Sequence, residues 1–368
     1  MVSRRVLCVR LDSAGDMLLA GPAIRAVAAR AEAVVLAGPQ GESAARLLPG
    51  VSDVLVWRCP WIDAAPPPTS PEDIAMLVRR LAAESFDAAI IFTSFHQSPL
   101  PTALALRLAE VPWIGAISTD YPGSLLDLRH QVSDDLPEPD RAAALATAAG
   151  FTRPPGDDGR LEVRTPLPDV THLVGNHPYV VLHPGTSVPA RAWPAEHFRQ
   201  AARLLAGAGW QVIVTGSPSE TALTRTVASM PDSALNHVLD LGGRTDLAGL
   251  AAVLAGAAAV VVGNTGPAHL AAAVGTPVVS LFAPTVPAQR WRPYGVAHVL
   301  LGDQNSPCRN TRVTTCPHPG HPCLSSVLPG DVLEAVIRLA GNPRSLASPT
   351  LPTAGVPVRT RIAAEVAS

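Results

Sequence analysis

Short apolar runs alternate with longer amphipathic stretches in the first half of the chain, and this alternation predicts its secondary structure. A strand, a Gly-containing turn, a helix and a second strand open the chain within residues 4–38. Further strands at 54–57, 87–92 and 113–117 are separated by helices at about 71–84 and 102–109. Strands that alternate with helices of this length are typical of a parallel sheet covered on both faces.

The second half repeats this rhythm. Strands are predicted at 179–182, 212–215, 237–239, 259–262, 277–282 and 298–301, with a last helix at about 329–340. Residues 152–178 are rich in Pro, Gly and Asp and predict a linker, so we expect two domains, 1–165 and 176–341. Residues 342–368 lack hydrophobic periodicity and predict a mobile tail. Two doubly wound α/β domains would place their loops across a shared cleft.

The composition excludes several function classes. Hydrophobic residues make up 47% of the chain, and a net charge of −2 gives no basic field for nucleic acid or an anionic membrane. All 28 basic residues are arginine, which indicates a GC-rich coding bias rather than a chemistry. No apolar run reaches the roughly 20 residues that span a bilayer, and the N-terminus lacks the pattern of a signal peptide. Five cysteines, an odd number, suit a reducing cytoplasm.

The most informative segment is VVVGNTGPAHLAAAVGTPVVSLFAPT, residues 260–285. A polar turn joins a buried strand directly to an Ala-rich helix, and such a junction presents free N–H groups and the positive end of a helix dipole to a phosphate. Thr265 supplies a hydroxyl, Gly266 permits close approach to the backbone, and His269 adds a donor. One such turn is weak evidence, because α/β proteins contain many.

A carboxylate follows the first strand, where loops at the carboxyl end of parallel strands line the ligand crevice. Asp16 lies in the segment LDSAGD near a helix N-terminus, so it is a candidate general base. The alternative is that Asp16 only caps a helix that starts near Met17. The segment does not match GxGxxG, so a dinucleotide site is poorly supported.

Two strand ends of the second half carry polar residues. The segment HPGTSVPARAWP, residues 183–194, offers the hydroxyls of Thr186 and Ser187 and the lone cation Arg191, whose planar fork suits a diphosphate. The segment TGSPSE, residues 215–220, offers Ser217 and Glu220. Glu220 suits ribose hydroxyls. The alternative for Arg191 is a solvated arginine on the surface. The alternative for Glu220 is an acidic side chain that only favours the first turn of its helix.

Together these segments resemble glycosyltransferase family 9, the ADP-heptose:lipopolysaccharide heptosyltransferases and their relatives. The resemblance covers about residues 4–340 and depends on RVLCVRLDSAGDMLLAGPAIRAV, HPGTS with Trp193-Pro194, LAGLAAVLAGAAAVVVGNTGPAHLAAAVGTP and FAPTVP. It implies the GT-B architecture, two Rossmann-like domains with the acceptor mainly on the first domain and the donor on the second. It also implies that the final helix packs back across the cleft.

The resemblance implies roles for individual residues. Asp16 matches the aspartate that acts as catalytic base, and Arg191 falls where the family carries a phosphate-contacting lysine. Asn264 replaces an aspartate that contacts donor-sugar hydroxyls, which puts heptose itself in doubt. The other implied donor-site positions are Thr186, Ser187, Ser217, Glu220, Thr245, Thr265, Gly266 and His269.

The resemblance therefore implies an inverting glycosyltransferase that moves a sugar, with heptose the first candidate, from a nucleotide-diphosphate donor to a saccharide or glycolipid hydroxyl. No cofactor is expected, and the absence of an Asp-x-Asp motif argues against a metal. The enzyme would be cytoplasmic and, with a glycolipid acceptor, peripheral at the inner membrane. The alternatives are a UDP-sugar 2-epimerase of the same fold and a non-catalytic nucleotide-binding protein.

A second cluster contains enough ligands for zinc: Cys308, Cys316, His318, His321 and Cys323. Its spacing is irregular and lacks the paired CxxC of strong zinc motifs. We therefore interpret it as a feature of a loop, and a metal site is the less favoured alternative.

Overall fold

The computed structural model describes residues 4–230 and 237–343, and the strands within these ranges form two parallel six-stranded sheets. The first sheet contains β1 (Arg5–Arg10), β2 (Glu32–Ala37), β3 (Val51–Val56), β4 (Ala88–Ile91), β5 (Ile114–Ile117) and β6 (Leu128–His130). The second contains β7 (Tyr179–His183), β8 (Gln211–Val214), β9 (Val238–Asp240), β10 (Val260–Gly263), β11 (Val278–Leu281) and β12 (His298–Leu301).

Both sheets have the same doubly wound topology. The orders are β3-β2-β1-β4-β5-β6 and β12-β11-β10-β7-β8-β9, so the strand order reverses between β1 and β4 and between β7 and β10. Ligands of open α/β sheets bind outside the carboxyl ends of the strands at such a reversal. The predicted fold class is confirmed, and the topology predicts a ligand site at the reversal point of each sheet.

Helices connect the strands. They are α1 (Ala14–Ala28), α2 (Glu42–Leu47), α3 (Pro71–Ala83), α4 (Leu100–Leu108), α5 (Glu138–Ala148), α6 (Thr171–Val174), α7 (Ala195–Gly207), α8 (Thr221–Ala228), α9 (Leu247–Ala255), α10 (Gly266–Ala273), α11 (Ala288–Trp291), α12 (Pro322–Ser325) and α13 (Pro329–Ala340). Short 3-10 helices lie at Gly123–Leu125, Pro189–Arg191 and Pro218–Glu220. The expectation that the last helix crosses the cleft is wrong, because α13 packs on α7, β11 and β12 of its own domain.

Small and branched apolar side chains build the core. Every residue of β4, β7, β8, β10 and β11 is buried, as expected for parallel strands covered on both faces. One cluster of buried side chains continues from Met17 and Leu18 of α1 to Leu270 and Ala271 of α10. The two domains are therefore joined by direct packing of α1 on α10 beside the cleft.

The segment between the sheets is closely packed rather than a free connector. Leu161 and Val163 are buried, and the backbone N–H of Arg164 donates to the carbonyl of Leu47 over 2.7 Å. Arg25 of α1 binds Asp157 through two hydrogen bonds of 2.7 and 2.6 Å. The predicted domain limits stay predictions, and residues 344–368 of the predicted tail lie outside the described residues.

Candidate active site

A cavity of about 300 Å³ lies where the reversal points of the two sheets face each other. Loops that follow β1, β4, β7 and β10 form most of its wall. The predicted residues on this wall are Asp16, Ser187, Arg191, Asn264, Thr265, Gly266 and His269. The other predicted residues, Thr186, Ser217, Glu220 and Thr245, are not among its lining residues.

The N-cap of α1 is Ser13, three residues before Asp16. Ser13 is the N-cap of α1 and accepts the backbone N–H of Asp16 over 3.4 Å, so the interpretation of Asp16 as only a cap is wrong. The Ser13 hydroxyl also donates to one carboxylate oxygen of Asp16 over 2.8 Å, and Arg10 lies 3.1 Å from the other. Burial favours a raised pKa for Asp16, but Arg10, the Ser13 hydroxyl and His269 outweigh it and lower the pKa. Asp16 is thus an ionised carboxylate at the cavity.

A buried polar network supports this carboxylate. Arg10 is 3% exposed, and its Nη2 atom lies 3.3 Å from Asp12 and donates to the Ser94 hydroxyl over 2.8 Å. The same oxygen of Asp12 accepts from Ser94 over 3.0 Å and from Gln97 over 3.1 Å. The network connects the loop after β4 to Asp16. Sequence reasoning missed it, because Ser94 and Gln97 come more than 80 residues after Arg10 and Asp12.

The first turns of α1 and α10 touch at the cavity. A Cβ atom on Gly15 would lie 3.1 Å from the Gly266 Cα atom and 3.1 Å from His269 Cδ2. The positive ends of two helix dipoles therefore converge there. His269 is 5% exposed, and its Nδ1 atom has no hydrogen-bond partner among the residues that the structure describes. Burial lowers the pKa of His269 to about 4, so the ring is neutral at pH 7.

We expect Gly15→Ala to lower kcat/KM roughly tenfold, because a shift of reacting groups by less than 1 Å is costly. The added methyl group meets backbone and a buried ring at 3.1 Å, so the two helix starts must move apart. Steady-state kinetics measure the effect. Gly207→Ala in α7 is the control, since its Cβ meets nothing within 4 Å. Equal kinetics in both variants would contradict the close approach.

Arg191 and Asn264 of the second domain line the same cavity as Asp16. Arg191 ends a 3-10 helix and donates from Nη1 to the carbonyl of Asn264 over 3.3 Å, while its buried Nε atom has no partner in the described chain. The Asn264 side chain donates to the carbonyl of Ala283 and accepts its N–H, each over 3.3 Å. The amide thus joins the ends of β10 and β11. Its predicted contact with a donor sugar stays a prediction.

The remaining predicted residues lie at neighbouring strand ends. Glu220 and Ser217 form a capping box, in which a Glu220 oxygen accepts the Ser217 N–H over 2.7 Å and its hydroxyl over 2.8 Å. The carboxylate lies above Gly185, where a Cβ would be 2.0 Å from Glu220 Oε1. The Thr186 hydroxyl closes its own turn, and Thr245 precedes α9. Their predicted roles in donor binding remain predictions.

Arg312 and His96, which sequence reasoning missed, meet across the domains. Arg312 Nη2 lies 2.7 Å from His96 Nε2, and both residues line the cavity. Burial and Arg312 lower the pKa of His96 to about 4, so its neutral ring accepts this hydrogen bond. The cavity therefore carries a second guanidinium besides Arg191. The two residues are 216 positions apart, and no local motif marks them.

The cysteine-containing loop shows buried free thiols at Cys308 and Cys323, and burial raises the pKa of Cys323 to about 11. Across the part of the chain that the structure describes, no three His, Cys, Asp or Glu side chains are arranged to hold a metal ion.

Within residues 4–230 and 237–343, no helix combines the length and the apolar character needed to cross a membrane.

Comparison with known proteins decides the family. The family model "Glycosyltransferase family 9 (heptosyltransferase)" matches residues 74–321. The chain belongs to this family. Membership in this family argues against the epimerase alternative.

Similar proteins include lipopolysaccharide heptosyltransferase 1 of Pseudomonas aeruginosa, 38% identical over 139 residues, which is 38% of each chain. Lipopolysaccharide heptosyltransferase 1 of Escherichia coli is 28% identical over 304 residues, 77% of this chain and 89% of that protein. Alignments with several relatives span only about a third of their length, 34% for lipooligosaccharide heptosyltransferase 2 of Haemophilus influenzae.

Solved structures show the same fold. The ADP-heptose lipopolysaccharide heptosyltransferase II of Escherichia coli gives a TM-score of 0.72 at 20% identity, covering 91% of this chain and 98% of that one. A family 9 glycosyltransferase from Veillonella parvula gives 0.75 at 17% identity, covering 92% and 97%. The predicted GT-B architecture is confirmed.

Proposed function

We propose that this protein is an inverting glycosyltransferase that transfers a sugar, with heptose the first candidate, from a nucleotide-diphosphate donor to a hydroxyl of a saccharide or glycolipid. One observation carries the proposal. An ionised carboxylate, Asp16, shares a 300 Å³ cavity with Arg191 and the N-terminus of α10. A base and an anion site therefore face the same space.

The chemistry follows from this arrangement. Asp16 accepts the proton of the acceptor hydroxyl as its oxygen attacks the anomeric carbon of the donor. The bond from that carbon to the diphosphate breaks on the opposite face, which inverts the anomeric configuration. The departing diphosphate takes both bonding electrons, and its charge is balanced by Arg191, Arg312 and the N–H groups of Gly266 and its neighbours. In the proposed mechanism, these groups neutralise the charge of the diphosphate without a metal ion.

ADP is the first candidate for the nucleotide, since the similar proteins are heptosyltransferases and one Escherichia coli heptosyltransferase was solved with ADP. Asn264 is neutral and replaces an aspartate that contacts donor-sugar hydroxyls in the family. The identity of the donor sugar is therefore less constrained than the identity of the nucleotide. A glycolipid acceptor would bring the protein to the inner face of the membrane as a peripheral enzyme.

We expect Arg191→Ala to weaken ADP binding by about 10- to 100-fold, the value of one or two hydrogen bonds to a charged group. Isothermal titration with ADP, GDP and UDP measures the effect on the full chain. Arg191→Lys should bind ADP more tightly than Arg191→Ala, because lysine keeps the positive charge but lacks the planar guanidinium that can make two parallel hydrogen bonds. Arg199→Ala is the matched control, since Arg199 of α7 pairs with nearby Glu196 and is not among the lining residues of the cavity.

The outcomes separate the parts of the proposal. Selective ADP binding that weakens in Arg191→Ala supports the donor site. A preference for GDP or UDP would keep the transferase but remove ADP-heptose as its donor. If no nucleotide binds, the turn before α10 is only a structural loop, and the proposed function is wrong.

A further inference from the structure

The loop of residues 93–97, which follows β4 in the first domain, packs against α11 of the second domain. The guanidinium of Arg290 lies over the ring of Phe95, with 4.0 Å between its Cζ atom and the ring centroid. The ring of Trp291 lies 5.6 Å from the ring of Phe95, measured between centroids. Cation–π contacts stabilise most when the cation is withdrawn from water, and Arg290 is 7% exposed. The next residue, His96, is therefore held at the boundary between the domains.

Two polar contacts join α11 to a neighbouring loop of the first domain. Gln289 Nε2 donates to the carbonyl of Asp135 over 2.8 Å. Arg290 Nη2 lies 3.5 Å from a carboxylate oxygen of Asp134, so one guanidinium contacts both a ring and a carboxylate of the first domain. The interface around loop 93–97 thus combines ring, amide and ion-pair contacts, and it holds this loop beside the cavity.

The backbone of Arg312 has a conformation that residues other than glycine adopt rarely. Its φ angle is +58°, in the left-handed region, and the φ angle of Asn310 is +60°. Two backbone hydrogen bonds hold this segment, from the N–H of Asn310 to the carbonyl of Pro284 over 2.8 Å and from the N–H of Arg312 to the carbonyl of Thr285 over 2.9 Å. Strain of this kind persists where the surrounding structure imposes it, and it is common at functional sites.

One hydrogen bond orients the Arg312 side chain. Its Nη2 atom donates over 2.7 Å to Nε2 of His96, whose ring is neutral at pH 7. Within residues 4–230 and 237–343, this guanidinium has no other hydrogen bond and no ion pair, so its Nε and Nη1 atoms are available to a ligand. Because a guanidinium is a rigid plane of five N–H donors, fixing one nitrogen also orients the others.

We propose that His96 is a positioning residue for donor binding, which holds the guanidinium of Arg312 in the orientation that receives the diphosphate. The inference rests on the proposed function, because it assumes that a nucleoside diphosphate occupies the cavity. A flexible arginine loses rotamer freedom when a ligand immobilises it, and the contact with His96 removes part of that freedom before the donor binds. A residue of the first domain thus contributes to the affinity of a ligand held mainly by the second.

Isothermal titration of the full chain with ADP tests this proposal through two substitutions that separate the ring of His96 from its acceptor atom. His96→Phe keeps a ring but loses the acceptor, and we expect roughly fivefold weaker ADP binding, the effect of ordering one flexible side chain. His96→Gln keeps an acceptor within reach of Arg312 and should bind ADP within about twofold of the unmodified protein. His172→Phe, at an exposed position of α6, is the control and should leave ADP binding unchanged.

Arg312→Ala shows whether His96 acts through Arg312. We expect this variant alone to weaken ADP binding about tenfold, because it removes a cation from the anion site. In its background His96→Phe should change the affinity by less than about twofold, since no guanidinium is left to orient. Additive losses would overturn the inference. Equal losses in His96→Phe and His96→Gln would also overturn it, because they would show that packing of the ring matters rather than its acceptor atom.

The same titrations distinguish failure of this inference from failure of the proposed function. If the unmodified protein binds ADP, and either His96→Phe or Arg312→Ala binds it equally well, His96 does not position the donor and the site around Arg191 stands. If the unmodified protein binds no nucleotide, the proposed function is wrong, and the role of His96 is wrong with it.

Discussion

Asp16→Asn is expected to lower kcat roughly 10³-fold, within the range that general-base catalysis contributes. The amide keeps the size of the side chain and its contact with Ser13, but it cannot accept the proton of the attacking hydroxyl. Because the pKa of Asp16 is lowered, the native base is ionised throughout the neutral range. The activity of the unmodified protein should therefore be independent of pH from the neutral range down to about pH 5. Turnover of an ADP-sugar, measured against pH, provides the test.

Asp12→Asn is the matched control for this substitution. Asp12 is a carboxylate four residues away that shares Arg10 with Asp16 and holds Ser94 and Gln97. Since it acts by positioning Arg10, we expect a loss of about tenfold, as for a small misplacement of the reacting groups. Both variants should bind ADP within a few-fold of the unmodified protein. Activity that survives Asp16→Asn would show that the base is wrong, and activity absent from every variant would favour a non-catalytic nucleotide-binding protein.

The fold could be predicted because parallel strands covered on both faces have a local signature. The residues of β10 are all buried, and they appear in the sequence as an uninterrupted apolar run. The turn after β10 was equally visible, since only two residues separate the strand from Gly266, which opens α10. By contrast α5, EPDRAAALATA, has only one large apolar side chain, Leu145, and its packing on α1 gives no periodic signal.

The site was predicted in part, and the missing part is long-range. Both Ser13 and Asp16 are suitable caps, and only the geometry shows that Ser13 takes this role. The network of Arg10 with Ser94 depends on pairing of β1 with β4, and the contact of Arg312 with His96 depends on how the domains meet. Local sequence patterns do not predict such long-range contacts.

Stability is expected to fall steeply as the pH drops from about 6.5 to 4, because buried histidines resist protonation. His96, whose pKa is also lowered to about 4, contributes in the same direction as the two most buried histidines. His183 and His269 are 6% and 5% exposed, and burial lowers the pKa of each from 6.5 to about 4. Between these values the unfolded chain binds protons that the folded chain does not. Stability therefore rises with pH in this window and is lost as the pH falls, by about 3 kcal/mol for each histidine.

The free energy of unfolding in urea, measured at several pH values from 7.5 to 4.5, checks this expectation. Asp12 and Glu138 act in the opposite direction, since burial raises their pKa values and protonation then stabilises the folded state. The informative quantity is therefore the difference in slope between proteins. His183→Gln with His269→Gln should lower stability at pH 7.5 and flatten the loss below pH 6.5, whereas His172→Gln, at an exposed position of α6, should keep the full slope. If the double variant loses stability as steeply as the unmodified protein, buried neutral histidines are not the cause, and the acid sensitivity lies instead in carboxylate pairs such as Arg25 with Asp157.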